Sequence, residues 1–195
     1  MKSGLPSILF GALVGAIIVL PALAALQVGE SAADFTAQAS LAGQPFTFSL
    51  KAALSKGPVV VYFYPSAFTG GCNLEAHTFS EDSEAFAAAG ASIIGVSEDS
   101  ITRLNAFSAD PQYCAGKFPV ASDPDGKIAK SYDVAVREAS SGRKDTRGVE
   151  IDHGFAERTT FVITPDGKIA ATLGGLAPGE HVEKALAVVQ GLGQK

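Results

Sequence analysis

Val59 to Tyr64 is a continuous run of apolar and β-branched residues, closed by Pro65. Such a run predicts a central strand covered on both faces. The proline cannot donate to a ladder, so the strand ends there. Ala91–Ser97 repeats the pattern, and Phe118–Ala121 predicts a shorter strand. Thr159–Thr164 and Lys168–Leu173 flank Pro165-Asp166-Gly167, which predicts a hairpin. Near the start, Phe46–Leu50 alternates as a half-buried strand does. With the lead-in Val28–Glu30 and Asp34–Thr36, and the turn Leu41–Pro45, it predicts an N-terminal hairpin.

Between these runs the period lengthens. Asn73–Ala89 predicts a helix with Leu74, Phe79 and Phe86 inward and Glu75, Glu81, Asp82 and Glu84 outward. Gly90 closes it. Glu98-Asp99-Ser100 opens another helix, with Leu104 and Phe107 inward, and Asp110-Pro111 ends it. Lys51–Ser55 and Lys127–Tyr132 predict short helical turns. Val182, Leu186 and Val189 give a final helix from Pro178 its buried side. Arg137–Gly154 is polar and carries Gly142 and Gly148, which predicts a long surface loop. The order of elements describes an α/β fold, a mixed central sheet with helices on both faces and an N-terminal hairpin. That is a thioredoxin-like layout.

Composition changes the picture at one end. Leu5 to Leu20 is almost wholly apolar behind a weakly basic start, and Ala22-Leu23-Ala24 supplies small residues two apart. This is the pattern of a secretory signal cut after Ala24. An uncleaved membrane anchor is the other reading. Residues 1–24 are therefore expected to be a signal peptide or anchor, and 25–195 the folded domain. Either reading puts the domain outside the cytoplasm, in the periplasm, secreted, or held at the inner membrane. The net charge of −5 and the lack of a long basic run argue against nucleic acid as a partner. Membrane contact is expected only if the N-terminal segment is kept.

The chain has two cysteines, Cys72 and Cys114, 42 positions apart. A structural disulfide and a cycling redox pair are both open. The three histidines, His77, His153 and His181, show no metal-ligand spacing, and no cofactor is implied.

Cys72 follows the Val59–Tyr64 strand and a short loop, at the expected start of a helix. Unsatisfied first-turn amides there favour a thiolate, the attacking form of cysteine. Gly70-Gly71 is read as giving the loop freedom to turn. Arg158, just before the Thr159 strand, is the candidate cation, because that strand can run beside Val59–Tyr64. A surface arginine is its bland alternative. Thr69 can cap the helix or donate to a substrate oxygen. Pro65 shapes the loop and shields the sulfur. Glu75 either faces solvent or holds an arginine in a bidentate pair. His77 is five residues beyond Cys72 and so points off its face, which disfavours a general base.

Pro65-x-x-x-Thr69-x-x-Cys72 resembles the active-site signature of the peroxiredoxin family, the alkyl hydroperoxide reductase/thiol-specific antioxidant superfamily. Phe63-Tyr64-Pro65 and Glu75 extend the match. Val28-Gly29-x-x-Ala32-x-Asp34-Phe35, Phe118-Pro119 with Ser122-Asp123, and Arg158-x-Thr160-Phe161-Val162-Ile163-x-x-x-Gly167 resemble its opening, middle and late strand. The nearest subgroup is the bacterioferritin comigratory type. The resemblance implies a thiol peroxidase in which Cys72 attacks hydrogen peroxide or an organic hydroperoxide. Thr69, Arg158 and loop amides would hold the peroxide oxygens, with Glu75 behind Arg158 and Pro65 over the sulfur. Many members of that subgroup carry a second cysteine where this chain has His77. The resolving role then falls to Cys114, and a thioredoxin-like protein would reduce the disulfide. A one-cysteine cycle with a small-thiol reductant is the alternative. A thiol–disulfide oxidoreductase is weakened because position 75 is glutamate, leaving no Cys-x-x-Cys. Monomer and homodimer are both open. The expected site has the sulfur at the base of a small pocket, within polar contact of Thr69 and Arg158.

Overall fold

The structure, a computed structural model, describes residues 25–139 and 141–193. The expected signal or anchor, 1–24, lies outside the described residues. Among the described residues, no helix is long and apolar enough to cross a membrane.

The chain opens with the hairpin β1 (Thr36–Leu41) and β2 (Gln44–Ser49), then the turn of helix α1 (Leu50–Leu54). Strand β3 (Val59–Phe63) leads into α2 (Gly70–Glu81) and α3 (Ser83–Ala88). Next come β4 (Ser92–Ser97), α4 (Ile101–Ala109), β5 (Val120–Ser122) and α5 (Lys127–Ser131). The short strands β6 (Val136–Arg137) and β7 (Phe155–Ala156) pair with each other. The chain ends with β8 (Thr159–Ile163), β9 (Ile169–Gly174) and α6 (Pro178–Leu192). Seven strands form one mixed sheet in the order β2-β1-β5-β4-β3-β8-β9. β3, β4 and β5 run parallel, while β8 lies antiparallel beside β3, with Phe63 opposite Thr159. The expected thioredoxin-like layout is the observed one.

Every residue of β3 is buried, at about 1.5–3 kcal/mol for each large apolar side chain. Val60, Tyr62 and Tyr64 face a core layer completed by α2, α3, α4 and α6. Val59, Val61 and Phe63 face the opposite layer, completed by α1, α5 and Tyr132. Period-two alternation thus divides one apolar run between two cores. Gly95 on β4 makes room for this packing. A Cβ there would lie 2.7 Å from both Cζ and the hydroxyl oxygen of Tyr62, a fully buried ring. Gly95→Ala should therefore destabilise the protein by about 1–3 kcal/mol, read as a lower urea midpoint at unchanged slope. An unchanged midpoint would show that the ring yields freely.

Four local expectations change. The helix expected from Asn73 starts at Gly70 and breaks at Asp82 into α2 and α3. Its buried stripe is Cys72, Glu75, Ala76 and Phe79, the i, i+3, i+4, i+7 pattern of one helix face. Leu74, expected inward, is 53% exposed. Glu75, expected on the outer face, is fully buried, because its carboxylate turns toward Arg158. The strand expected at Phe118–Ala121 is formed by Val120–Ser122. The region 137–154 is more than a surface loop. It carries one residue of β6, buries Asp145 and Ile151, and turns back through a Lys144–Glu150 bridge.

Candidate active site

β3 and β4 are parallel, so their carboxyl ends open on the same edge of the sheet, where sites of open α/β folds gather. Pro65 to Thr69 crosses that edge and delivers the chain to the N-terminus of α2. The tight point of this loop is Phe68, at φ +61°, a left-handed conformation that is unusual for a bulky residue. Gly70 and Gly71, read as hinge glycines, belong to α2. Gly71 instead supplies space: a Cβ there would stand 3.2 Å from Arg158 Nη2. The glycine thus lets the guanidinium reach the sulfur.

Cys72 is the third residue of α2 and 2% exposed. Arg158 Nη2 donates to its Sγ at 3.3 Å, and Nη1 pairs with Glu75 Oε2. The register that sets Phe63 against Thr159 brings Arg158 here from the far end of the chain. Burial pushes the Glu75 carboxyl up to about 8, against the pull of Arg158. Glu75 contacts the guanidinium through one oxygen, so the pairing is not the bidentate form. His181, at the start of α6, is fully buried, and its Nδ1 is 3.0 Å from Thr160 Oγ1. Burial and the neighbouring Arg158 hold its imidazole down, to about 4, so it is neutral and leaves Arg158 as the local cation.

Thr69 occupies the N-cap position without capping; its hydroxyl donates to the Ser66 carbonyl at 2.7 Å. In this structure that proton is already used, so the hydroxyl is not free to make the expected donation to a substrate. The oxygen's lone pairs remain to accept from a ligand O–H. The amides of Gly70, Gly71 and Cys72 lack intrahelical acceptors, as first-turn amides do. Together with Arg158 they surround the sulfur with positive potential. The half-buried Pro65 helps line a cavity of about 430 Å³ with Arg137, Arg143, Phe155, Arg158 and Leu176. Cys72 does not line it. The cavity reaches Arg158, which donates to the sulfur, and not the sulfur itself.

Cys114 is a free thiol, as is Cys72, and both belong to the same core layer. It sits in the turn that follows α4 and is fully buried. Burial, with Asp110 adding, pushes its thiol well above the usual cysteine range. His77 lies on the exposed side of α2 beside Glu81, 3.5 Å away, away from the sulfur as its spacing implies. Among the described residues, no three His, Cys, Asp or Glu side chains converge to hold a metal ion.

Sequence reasoning missed a group that anchors the loop from behind. Asp99 is fully buried and receives the Ala67 amide at 2.7 Å and the Ser66 and Ser97 hydroxyls at 3.0 and 2.7 Å. Arg103 pairs with Asp99 and with Asp145, both at 2.8 Å, and donates to the Ala67 carbonyl. His153 Nε2 is 2.8 Å from Asp99 Oδ1. The signal that could have found Asp99 was its place, an acid just past the carboxyl end of a buried parallel strand.

Comparison with known proteins follows the same residues. Residues 28–172 match the model of the AhpC/TSA family. The chain is 31% identical to peroxiredoxin Bcp of Xanthomonas campestris over 155 residues, covering 74% of this chain and 90% of that protein. It is 31% identical over 170 residues to a chloroplastic 2-Cys peroxiredoxin of Hordeum vulgare, covering 85% of this chain and 74% of that protein. The crystal structure of peroxidoxin BcpB from Mycobacterium tuberculosis superposes with a TM-score of 0.71 at 30% identity, over 86% of this chain and 98% of the other. A Xanthomonas campestris bacterioferritin comigratory protein, described for its alkyl peroxide reduction activity, superposes with a TM-score of 0.63 at 29% identity, over 80% of this chain and 91% of the other.

Proposed function

The chain belongs to the AhpC/TSA family, the peroxiredoxins, and is a thiol peroxidase; we propose that Cys72 is its peroxidatic cysteine, serving hydrogen peroxide and organic hydroperoxides. The observation that carries this is the Arg158 guanidinium, bonded to the Cys72 sulfur and held by the buried Glu75 carboxyl.

The Cys72 thiolate attacks one peroxide oxygen, forming an S–O bond as the O–O bond breaks. The departing oxygen takes a proton and leaves as water or an alcohol, and Cys72 becomes a sulfenic acid. Arg158 and the first-turn amides stabilise charge moving onto the departing oxygen. Thr69 accepts from the peroxide O–H and so orients it. Pro65 keeps water from the sulfur.

Cys114 closes the cycle. Its sulfur gives up its proton and attacks the sulfenic sulfur of Cys72; the S–S bond forms as the S–O bond breaks, and the departing hydroxide takes that proton and leaves as water. Because both thiols are buried, this is a step of the opened protein. A disulfide needs Cα atoms within about 7 Å, and the burial that disfavours the Cys114 thiolate must be relieved. Ala115 and Gly116, at φ +50° and +68°, mark a bent segment suited to such unwinding. A thioredoxin-like dithiol then restores both thiols by exchange. The thiol–disulfide oxidoreductase alternative is not favoured, since the position that would complete Cys-x-x-Cys holds Glu75, engaged with Arg158.

Cys114→Ser should give one rapid oxidation of Cys72 and then stall with thioredoxin as reductant. Stopped-flow oxidation followed by steady-state peroxide consumption checks this; full steady-state turnover would show that an outside thiol resolves Cys72. The apolar run Leu5–Leu20 and Ala22-Leu23-Ala24 support work outside the cytoplasm, periplasmic, secreted, or anchored at the inner membrane.

A further inference from the structure

Each residue of the loop Ser66–Phe68 is tied to groups outside it. Asp99 takes the Ser66 hydroxyl and the Ala67 amide. Arg103 Nη2 donates to the Ala67 carbonyl at 2.9 Å. The Phe68 carbonyl accepts from the Thr146 amide and hydroxyl, at 2.9 and 2.8 Å. The Arg147 guanidinium lies 3.2 Å from the centre of the Phe68 ring and is itself held by Asp145. These ties hold a residue in a conformation it would not choose alone, Phe68 at positive φ.

His153 is the titratable member of this group. Its Nδ1 is 2.7 Å from the Gly154 carbonyl, which can only accept, so Nδ1 carries a proton. Its Nε2 is 2.8 Å from Asp99 Oδ1 and 3.3 Å from Ser66 Oγ. Facing an ionised carboxylate, Nε2 carries a proton too, and the ring is an imidazolium. The other charged groups around it are Glu98 and Asp99 after β4, Arg103 on α4, Asp125 and Lys130 around α5, and Glu138 and Asp152 on its own segment.

We propose that His153 is a positioning residue for the peroxide reaction: its imidazolium, with Asp99 and Arg103, latches Ser66–Phe68 and so places Thr69 and Cys72, and loss of its proton loosens the latch. This rests on the reading of Cys72 as the residue that meets peroxide. The loop His153 holds is the one that leads into α2 and fixes Cys72 in its place, so the same proton favours peroxide attack over resolution.

The sign follows from the surroundings. Burial lowers the His153 pKa, but the Asp99 carboxylate outweighs it and the net shift is upward. The hold is complete below the pH at which a free imidazole titrates, about 6.5. It is lost as pH rises through the raised value. The opening constant of the loop must then rise by about tenfold for each unit separating the latched and open pKa values.

Hydrogen exchange on the reduced full chain, without peroxide, tests this. The Ala67 amide, bonded to Asp99, is the reporter. After correction for intrinsic exchange, its protection should fall as pH rises above about 6.5, with a midpoint that matches the titration of the His153 ring followed by NMR. His153→Gln should show the weaker protection throughout, with no such transition. Repeating the series in Cys72→Ser keeps any change at the active-site sulfur out of the readout. Flat wild-type protection, a midpoint apart from that of the ring, or a wild-type transition in His153→Gln would overturn the proposal. Should His153→Gln not fold, the wild-type midpoints decide alone. The readout needs no turnover, so it stands or falls separately from the peroxidase assignment, which peroxide consumption by Cys72→Ser would sink.

Discussion

Cys72→Ser should abolish peroxide turnover while leaving the fold in place. Serine keeps the side-chain shape and can still accept from Arg158 Nη2, which now donates to the sulfur at 3.3 Å. What it loses is nucleophilicity, since an unactivated hydroxyl is a weak nucleophile at neutral pH. Among the described residues no histidine contacts Cys72 as a general base: His77 is turned to Glu81, His153 is bonded to Asp99, and His181 is bonded to Thr160. The serine therefore has nothing to activate it. Cys114, the other thiol, is fully buried and held protonated by that burial, so it cannot substitute. Peroxide consumption should fall to the uncatalysed rate, with near-unchanged circular dichroism and urea midpoint. Turnover above about 1% of wild type would move the chemistry to another residue.

Removing Arg158 should be the next most damaging change, and its two consequences can be separated. The guanidinium is the cationic donor at the sulfur, and losing such a donor costs about 100- to 1000-fold in rate. Its removal also strands Glu75, fully buried. Burial already pushes that carboxyl up to about 8, and without Arg158 nothing pulls it back down, so in Arg158→Ala it stays a buried, protonated acid that has lost its partner. Arg158→Ala should be slow and less stable. Arg158→Ala with Glu75→Gln should recover stability and stay slow. Recovery of rate in the double variant would mean that Arg158 only neutralises Glu75. The single Glu75→Gln has its own signature. A carboxyl whose folded pKa is raised stabilises the fold below its unfolded value, near 4.5, and that contribution is lost as pH rises through about 8. Glu75→Gln should therefore flatten the decline in stability across that window, seen as melting temperature against pH, while it slows peroxide attack by freeing Arg158 to turn.

What could be read from the chain follows from range. Val59–Tyr64 announces a buried strand because every residue in it is apolar or β-branched, a local fact. The pairing of β3 with β8 is one step removed, yet the element order suffices to bring Arg158 toward Cys72. Glu75 was harder. A carboxylate on a helix reads as solvated until its partner is known, and the partner lies 83 positions away. The loop 137–154 was harder still. Its glycines and charges describe a surface segment, and nothing local says that Asp145 is buried to serve Arg103, or that Thr146 supports the Phe68 carbonyl. Polar residues are illegible in this sense: their burial depends on counter-charges distant in sequence, whereas apolar periodicity carries its own meaning. Thr69 shows the finer limit, since its place at the head of α2 is legible and the direction of its hydroxyl is not.

The two thiols share one side of the sheet, and the opposite layer of Phe35, Leu50, Phe63, Tyr132 and Phe161 contains neither. The proposed cycle, in which the segments around Cys72 and Cys114 unwind, would thus disturb one storey of the molecule. The other storey, with α1, α5 and the N-terminal hairpin, serves as an undisturbed floor on which β3 and β4 keep their alignment. On that proposal, each turnover would melt and rebuild its working surface without searching again for the fold.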